Sequence, residues 1–192
     1  MRKNLEDIAK KVAEKLIIPF AFLRFTPNML TWTGLILTAV TAYIIIKEEY
    51  LIGGIFFLLA SIFDMLDGAL ARKYKKATSF GAFLDSNLDR LGEGFVFFAF
   101  IVVAYKTIDF NLLILSIATL IASYMTSYAR CRAETVKVKC TIGLIQRPER
   151  ILLLTAALIF WGYHNEIMVF LLVLSLVTVI QRLVFVHLKI NR

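Results

Sequence analysis

Six uncharged apolar runs, separated by charged stretches, divide the sequence; they cover residues 30–46, 51–63, 94–105, 112–129, 151–163 and 167–180. A helix that crosses a bilayer needs about 20 residues, and four of these runs fall below the minimum of roughly 17. We therefore expect those four helices to continue into charged sequence. The second would extend to Arg72, the third back to Gly81, the fifth back to about Gln146 and the sixth to about Val186. The extensions place ionisable residues at membrane depth, where their energetic cost indicates a function.

The first 20 residues carry apolar side chains at helical spacing with lysines on the other faces; the apolar positions are Leu5, Ile8, Val12, Leu16 and Ile17. This pattern predicts an interfacial amphipathic helix over residues 1–20. The alternative is a solvated charged helix without lipid contact. Acidic residues interrupt the segment, so we do not interpret it as a secretory signal. Pro19 and Pro27 then break the path into the first spanning helix.

The composition is that of a membrane protein. Of the 192 residues, 59% are hydrophobic and 19% are charged, and the mean hydropathy is +0.76. Soluble domains have roughly 45–50% apolar and 25% charged residues, so an ordinary water-soluble fold is excluded. Because no linker-like stretch divides the chain, we predict one domain over residues 1–192. Its predicted fold is an all-α integral membrane protein with six transmembrane helices preceded by the N-terminal amphipathic helix.

Positive charge lies on one side of this predicted topology. All 22 lysines and arginines except Lys47 and Lys106 fall near the termini or near the second-to-third and fourth-to-fifth connections. The bias predicts a multi-pass protein of the cell membrane with both termini and the active site in the cytoplasm. Anionic membrane lipids and substrate phosphates explain the net charge of +8, and since no nucleic-acid motif accompanies it, no nucleic-acid partner is expected.

Four of the six aspartates fall within a short stretch, and helical spacing pairs them on two neighbouring helices: Asp64 with Asp67, and Asp85 with Asp89. Four carboxylates in a low-dielectric crevice repel one another, so such a cluster needs divalent cations. Oxygen ligands favour Mg²⁺, Mn²⁺ or Ca²⁺. Two such ions are the usual device for in-line displacement at phosphorus. The alternative interpretation is a set of salt bridges to the surrounding basic residues.

Small residues and an arginine accompany the acids. Gly68, Ala71 and Gly81 lie about one helical turn from the aspartates and leave room for a ligand to approach. Arg72 adds a bidentate phosphate donor. The stretch therefore predicts a phosphate-containing ligand beside the metal ions.

The whole string fits D-x2-D-G-x2-A-R-x8-G-x3-D-x3-D at every fixed position, and it resembles the signature of the CDP-alcohol phosphotransferases. The resemblance implies a membrane enzyme, usually a homodimer, that moves a phosphatidyl group from a CDP-linked lipid to an alcohol and releases CMP. It implies two Mg²⁺ ions, for which Mn²⁺ can substitute, bound by Asp64, Asp67, Asp85 and Asp89, with Asp89 also the catalytic base. The residues that would hold the CDP moiety are Asn28, Thr31, Gly68, Ala71, Arg72, Thr78 and Gly81.

A second basic stretch indicates the acceptor. Arginines on the predicted cytoplasmic side suit an anionic acceptor, because a neutral alcohol does not need several guanidinium groups. The sequences Ser127-Tyr-Ala-Arg130-Cys-Arg132-Ala-Glu and Arg147-Pro-Glu-Arg150 resemble the branch of the family that uses inositol phosphate and attaches it to phosphatidyl or archaetidyl lipids. By that resemblance, the residues holding the acceptor phosphate would be Ser127, Arg130, Arg132, Arg147, Arg150 and Arg182. The alternative is that these arginines contact lipid headgroups.

Other functions remain open on the residues alone. Glycerol phosphate also needs a basic pocket, so phosphatidylglycerophosphate synthesis is an alternative, and transfer from CDP-inositol to inositol phosphate is another. From a different class, intramembrane aspartates also occur in divalent-cation transporters. A cation path should continue across the membrane, yet the opposite halves of the apolar runs carry no acids, which favours the enzyme.

Overall fold

The structure is a computed structural model that describes residues 17–19, 22 and 25–190. The amphipathic helix predicted over residues 1–20 lies outside the described residues except for 17–19, which are helical. Within the described part, the secondary structure is entirely helical, which confirms the all-α prediction. The helices are α1 (Pro27–Ile46), α2 (Tyr50–Lys73), α3 (Ser79–Thr107), α4 (Phe110–Thr135), α5 (Arg147–Ile159) and α6 (His164–Ile190), with a 3₁₀ turn (Trp161–Tyr163) before α6.

Four segments are long and apolar enough to cross a membrane: α1, α2, α4 and the segment Trp161–Ile190 that includes α6. Helix α3 is long but carries the charged residues that follow Ser79, whereas α5 has only 13 residues. At about 1.5 Å per residue, α5 alone is shorter than a hydrocarbon core of about 30 Å. Four candidate spans are therefore identified among the described helices, and the number six stays a prediction.

The first and third helices begin at threonine caps beside the functional residues. The Thr26 hydroxyl accepts a hydrogen bond from the Met29 N–H at 3.3 Å, and Pro27 is the first residue of α1. Similarly, the Thr78 hydroxyl accepts from the Gly81 N–H at 2.9 Å where α3 starts. Such caps satisfy N–H groups that have no partner within the helix, so they define where each helix begins.

Helices α4 and α5 begin at acidic side chains. Asp109 accepts a hydrogen bond from the Leu112 N–H at 2.9 Å, and this bond holds the pKa of the Asp109 carboxyl below its usual range. At α5, the Glu149 carboxylate accepts from the Gln146 N–H at 3.0 Å in a capping box, with Pro148 in the first turn. The α5 cap places Arg147 and Arg150 in the first turns of that helix.

Contacts divide the chain into two compact units. The first comprises Met1–Thr41 with Phe56–Phe95, and the second comprises Ala42–Ile55 with Val96–Arg192. The first unit has a small core around Leu30, Leu66 and Leu70, and the second buries larger side chains such as Phe97 and Phe100. The single domain expected from the sequence stays a prediction.

In the second unit, α4 packs along α6 through small hydroxyl residues. Buried serines and threonines recur every three or four positions on both helices; they are Ser116, Thr119, Ser123 and Thr126 on α4, and Ser175 and Thr178 on α6. Small residues with this spacing let two membrane helices approach closely. This packing brings Arg182, at the next buried position of α6, to the α4 residue Thr126.

Candidate metal and nucleotide site

Three aspartates converge in the first unit. Asp64 and Asp67 project from α2 and Asp85 from α3, and one carboxylate oxygen of each lies within 4.8 Å of the others. Asp67 is only 5% exposed, while Asp64 and Asp85 are half-buried. Negative groups this close repel unless a cation joins them, and an all-oxygen set suits a hard divalent ion. The residues therefore fit a divalent metal centre, as the sequence predicted.

Asp89 lies one helical turn beyond Asp85 on α3. Its side chain is 9% exposed, and its Oδ2 lies 3.7 Å from Arg90 Nη1. Among the described residues, the group that could hold a metal contains Asp64, Asp67 and Asp85 but not Asp89. Of the four acids predicted to bind metal, the structure thus brings three together, and the fourth lies one turn from Asp85 on α3. Metal binding by Asp89 stays a prediction.

Thr31 makes a contact that sequence reasoning missed. Its hydroxyl lies 2.5 Å from Asp67 Oδ2 and 3.1 Å from the carbonyl oxygen of Pro27. Thr31 is 6% exposed, so the hydroxyl and the carboxylate meet in a buried place between α1 and α2. Thr31 was predicted to contact the nucleotide, and no local pattern in the sequence indicates its partner on α2.

A pocket of about 600 Å³, partly open to solvent, lies against these acids. All seven residues predicted to hold the CDP moiety line it, together with Asp67 and Asp85. The lining residues that the sequence analysis did not name as CDP ligands are Pro27, Lys76, Ala77 and Ala82. Lys76 had a signal in the sequence, since it belongs to the basic stretch between the two aspartate pairs, where it adds positive charge for a phosphate.

The two glycines of the pocket leave space that a side chain would fill. A Cβ at position 68 would lie 3.1 Å from Arg72 Nη1, so Gly68 lets the guanidinium rest against the helix. A Cβ at position 81 would lie 3.0 Å from the Thr78 hydroxyl and 3.3 Å from Asn28 Oδ1. Larger residues at either position would crowd polar groups that line the pocket, although the flexible Arg72 side chain can shift.

Two arginines are buried in the second unit, and both contact Thr126. Arg150 and Arg182 are each 3% exposed. Arg150 Nη1 donates to the Thr126 hydroxyl at 3.0 Å, whereas Arg182 Nη1 donates to the Thr126 carbonyl. Arg182 Nε also donates to the carbonyl of Ile142 at 3.0 Å. Part of the hydrogen-bonding capacity of these arginines is therefore used by the protein itself.

The other predicted acceptor residues are more accessible. Arg130 is exposed and forms an ion pair at 3.3 Å with Glu134 on the same helix, and its charge acts on Arg182 together with that of Arg150. Arg132 is exposed in the last turn of α4, while Ser127 and Arg147 are partly buried. The structure thus brings Arg130 and Arg150 within electrostatic range of Arg182. Such a concentration of positive charge suits an anion.

The segment between α4 and α5 is fastened to α6. The Leu144 N–H donates to Gln181 Oε1 and the Ile145 N–H donates to the Thr178 hydroxyl, both at 3.1 Å. Gly143 has a φ of +138°, and a Cβ there would lie 2.6 Å from Thr178 Cγ2. Only glycine tolerates both this backbone and this contact. The segment is thereby held where Arg182 can reach the Ile142 carbonyl.

Comparison with known proteins gives consistent matches. A family model described as CDP-alcohol phosphatidyltransferase matches residues 24–184. An archaetidylinositol phosphate synthase from Pyrococcus horikoshii is 36% identical over 95% of this chain and 94% of that protein. A phosphatidylinositol phosphate synthase from Mycobacteroides abscessus is 37% identical over 83% of this chain and 76% of its own.

Solved structures of a related enzyme have the same fold as this chain. The crystal structure of Mycobacterium tuberculosis phosphatidylinositol phosphate synthase with CDP-DAG bound matches with a TM-score of 0.81 and 29% identity, over 94% of each chain. The structure of the same enzyme in complex with manganese and citrate matches with a TM-score of 0.81 and 31% identity, over 93% of this chain and 88% of that one.

Proposed function

The chain belongs to the CDP-alcohol phosphatidyltransferase family, and on that premise we propose that it transfers a phosphatidyl or archaetidyl group from a CDP-linked lipid to inositol phosphate, releasing CMP. One observation carries the proposal: a single pocket combines the Asp67 and Asp85 carboxylates with every residue predicted to hold the CDP moiety. Family membership also decides for an enzyme over a cation transporter. The names of the relatives support inositol phosphate as the acceptor.

The metal site would be formed by Asp64, Asp67 and Asp85, with Asp89 as a fourth ligand, and would hold two Mg²⁺ ions for which Mn²⁺ can substitute. The convergence of three carboxylate oxygens within 4.8 Å supports this assignment. When bound, divalent ions neutralise the charge of a pyrophosphate and of the leaving phosphate. A bound cation would also offset the repulsion among the three carboxylates.

The protein's own residues supply nucleotide binding and proton transfer. Gly68, Ala71 and Gly81 leave space for the nucleotide, and Arg72 contributes a bidentate donor to a phosphate. The acceptor hydroxyl oxygen attacks the lipid-side phosphorus, the bond from that phosphorus to the CMP oxygen breaks, and the hydroxyl proton passes to Asp89. A nearly buried carboxylate such as Asp89 is suited to act as this base.

The acceptor phosphate would be held by Ser127 and by arginines of the second unit, namely Arg130, Arg132, Arg147, Arg150 and Arg182. Buried Arg150 and Arg182 keep a fixed positive field, because Thr126 and Ile142 orient their guanidinium groups. Arg132 and Arg130 are exposed, and the Arg130 ion pair with Glu134 is exposed too, so both side chains can move onto an incoming phosphate. Inositol phosphate and glycerol phosphate share this requirement for positive charge.

The proposal includes the arrangement of the enzyme in the membrane. We propose one domain with six transmembrane helices, an amphipathic helix over residues 1–20, both termini and the site in the cytoplasm, and assembly as a homodimer. The four candidate spans and the one-sided distribution of lysine and arginine support the topology. The lipid partner is then a component of the same bilayer.

CMP release by the detergent-purified protein tests the function. The protein is supplied with Mg²⁺ and either an ester-linked or an ether-linked CDP-lipid, and the acceptors compared are inositol phosphate, glycerol phosphate, serine and free inositol. Release that requires inositol phosphate is the expected result. Release with glycerol phosphate instead would keep the transferase and replace the acceptor. An absence of release with every acceptor, followed by release from CDP-inositol, would replace the lipid donor.

A further inference from the structure

We infer that Thr31 is a positioning residue for the metal ligand Asp67 rather than a contact to the nucleotide. The inference rests on the proposed function, because it assumes that Asp67 binds a divalent ion. Its direct support is the buried contact of 2.5 Å between the Thr31 hydroxyl and Asp67 Oδ2. This contact joins two helices, α1 and α2, since the two residues are 36 positions apart in the chain.

The hydroxyl of Thr31 has one proton and two acceptors within reach. The Pro27 carbonyl lies at 3.1 Å and the Asp67 carboxylate at 2.5 Å. Hydrogen bonds donated by a hydroxyl to an oxygen have lengths of about 2.5–3.0 Å, and only the distance to Asp67 falls in that range. The proton is therefore directed to Asp67, and the helix carbonyl accepts at most a weaker share.

Other threonines of α1 show what an ordinary helical hydroxyl does. Each donates to the carbonyl four residues earlier in its own helix, at 2.8–2.9 Å; they are Thr33 to Met29, Thr38 to Gly34 and Thr41 to Leu37. Thr31 has the same kind of carbonyl available at Pro27 yet is closer to the acid on the neighbouring helix. The Thr31 hydroxyl therefore donates its hydrogen bond to the Asp67 carboxylate, although a carbonyl acceptor within α1 is available.

The effect on the metal site follows from carboxylate geometry. A hydrogen bond to Oδ2 limits rotation of the Asp67 carboxylate, so its orientation toward Asp64 and Asp85 is held before any ion arrives. It also disperses part of the negative charge that three close carboxylates concentrate. Residues that hydrogen-bond to metal ligands in this way typically change metal affinity or activity by about 10- to 100-fold when they are replaced.

The test measures metal binding without nucleotide. Purified full-length protein is titrated with Mn²⁺ and the free ion is followed by electron paramagnetic resonance. Thr31→Val removes the hydroxyl and keeps the shape of the side chain. Thr31→Ala removes both the hydroxyl and the methyl group, and Thr31→Ser retains the hydroxyl. Thr38→Val is the matched control, because Thr38 is also buried on α1 but bonds only its own helix in the contacts described.

We expect Thr31→Val and Thr31→Ala to weaken Mn²⁺ binding by about 10-fold or more, and Thr31→Ser and Thr38→Val to leave it within about 2-fold of the unsubstituted protein. At saturating metal, the KM for the CDP-lipid should not change in Thr31→Val. Unchanged Mn²⁺ affinity with a raised KM for the CDP-lipid would overturn the inference and return Thr31 to the nucleotide.

Asp67→Asn separates this inference from the proposed function. If the unsubstituted protein binds Mn²⁺ and Asp67→Asn abolishes that binding, the metal site stands and the Thr31 variants decide the inference alone. If Asp67→Asn binds Mn²⁺ as tightly as the unsubstituted protein, the proposed metal site is wrong and the role of Thr31 is overturned with it.

Discussion

The two units differ in the groups that surround their buried charged side chains. In the first, Asp64, Asp67 and Asp85 bring carboxylate oxygens within 4.8 Å of one another, an arrangement that is costly until a cation arrives. In the second, Arg150 and Arg182 are more deeply buried than Asp64 and Asp85, and Thr126 and Ile142 provide oxygens for their guanidinium groups. The acids therefore form a site prepared for an external ion, whereas the two arginines also support the fold. Substitutions should separate these roles.

Asp67→Asn should reduce CMP release by on the order of 10³-fold, because it removes the most buried of the three ligands. The melting temperature of the metal-free protein should stay the same or rise, since one of three repelling charges is gone. Both quantities are measured on the same detergent-purified samples. Activity within 10-fold of the unsubstituted enzyme would remove Asp67 from the metal site.

Asp89→Asn should reduce turnover by about 10²-fold or more, the usual contribution of a general base. Because Asp89 is not in the group of three carboxylates, Mn²⁺ affinity should fall less than in Asp67→Asn. Single-turnover CMP release and Mn²⁺ titration make the comparison. Loss of Mn²⁺ binding as complete as in Asp67→Asn would make Asp89 chiefly a ligand, and retained turnover would remove it from the base role.

Much of the fold was predictable, because charged residues at helix ends continue the helical pattern. The expected extensions to Arg72 and back to Gly81 agree with α2 ending at Lys73 and α3 beginning at Ser79. The end of α5 was not predictable, because the apolar run continues past Ile159 while the backbone leaves the helix. There Trp161 stacks on Tyr50 with ring centroids 3.5 Å apart, a tertiary contact that hydrophobicity alone does not encode.

In the functional site, too, some features follow from local sequence patterns and others do not. The spacing within α2 and α3 grouped four acids on two helix faces, since residues one turn apart on a helix lie on one face. Of these acids, Asp67 and Asp85 line the pocket together with Gly68 and Gly81. The contacts that orient charged groups were missed: Thr31 reaches Asp67 across 36 positions, and Arg182 reaches Thr126 across 56. Such pairs depend on the register of packed helices, which no local pattern reveals.

Arg182→Met and Arg130→Met test whether a buried arginine of the second unit stabilises the fold more than an exposed one. Arg182→Met removes the side-chain donor to the Ile142 carbonyl and the bond to the Thr126 carbonyl, so it should destabilise the protein by about 2 kcal/mol, seen as a lower melting temperature. Arg130→Met loses only an exposed ion pair with Glu134, so the melting temperature should barely move while the KM for the acceptor rises. Equal destabilisation by both would contradict the division between framework and binding arginines.

Asp109→Ala should have a smaller effect, because it removes a helix cap and a contact of 3.6 Å between Asp109 Oδ2 and His164 Nε2 but no functional residue. Loss of the bond from the Leu112 N–H to Asp109 should cost about 1 kcal/mol, with kcat unchanged. The pKa of Asp109 is lowered in the folded protein, so its carboxylate stabilises the fold above the ordinary aspartate pKa, and that contribution is lost as the pH falls through the lowered value. Asp109→Asn keeps a capping oxygen without the charge and is the matched control. Melting temperatures from neutral to acid pH should therefore fall less steeply in Asp109→Asn, and identical slopes would show that the carboxylate charge is not used at this cap.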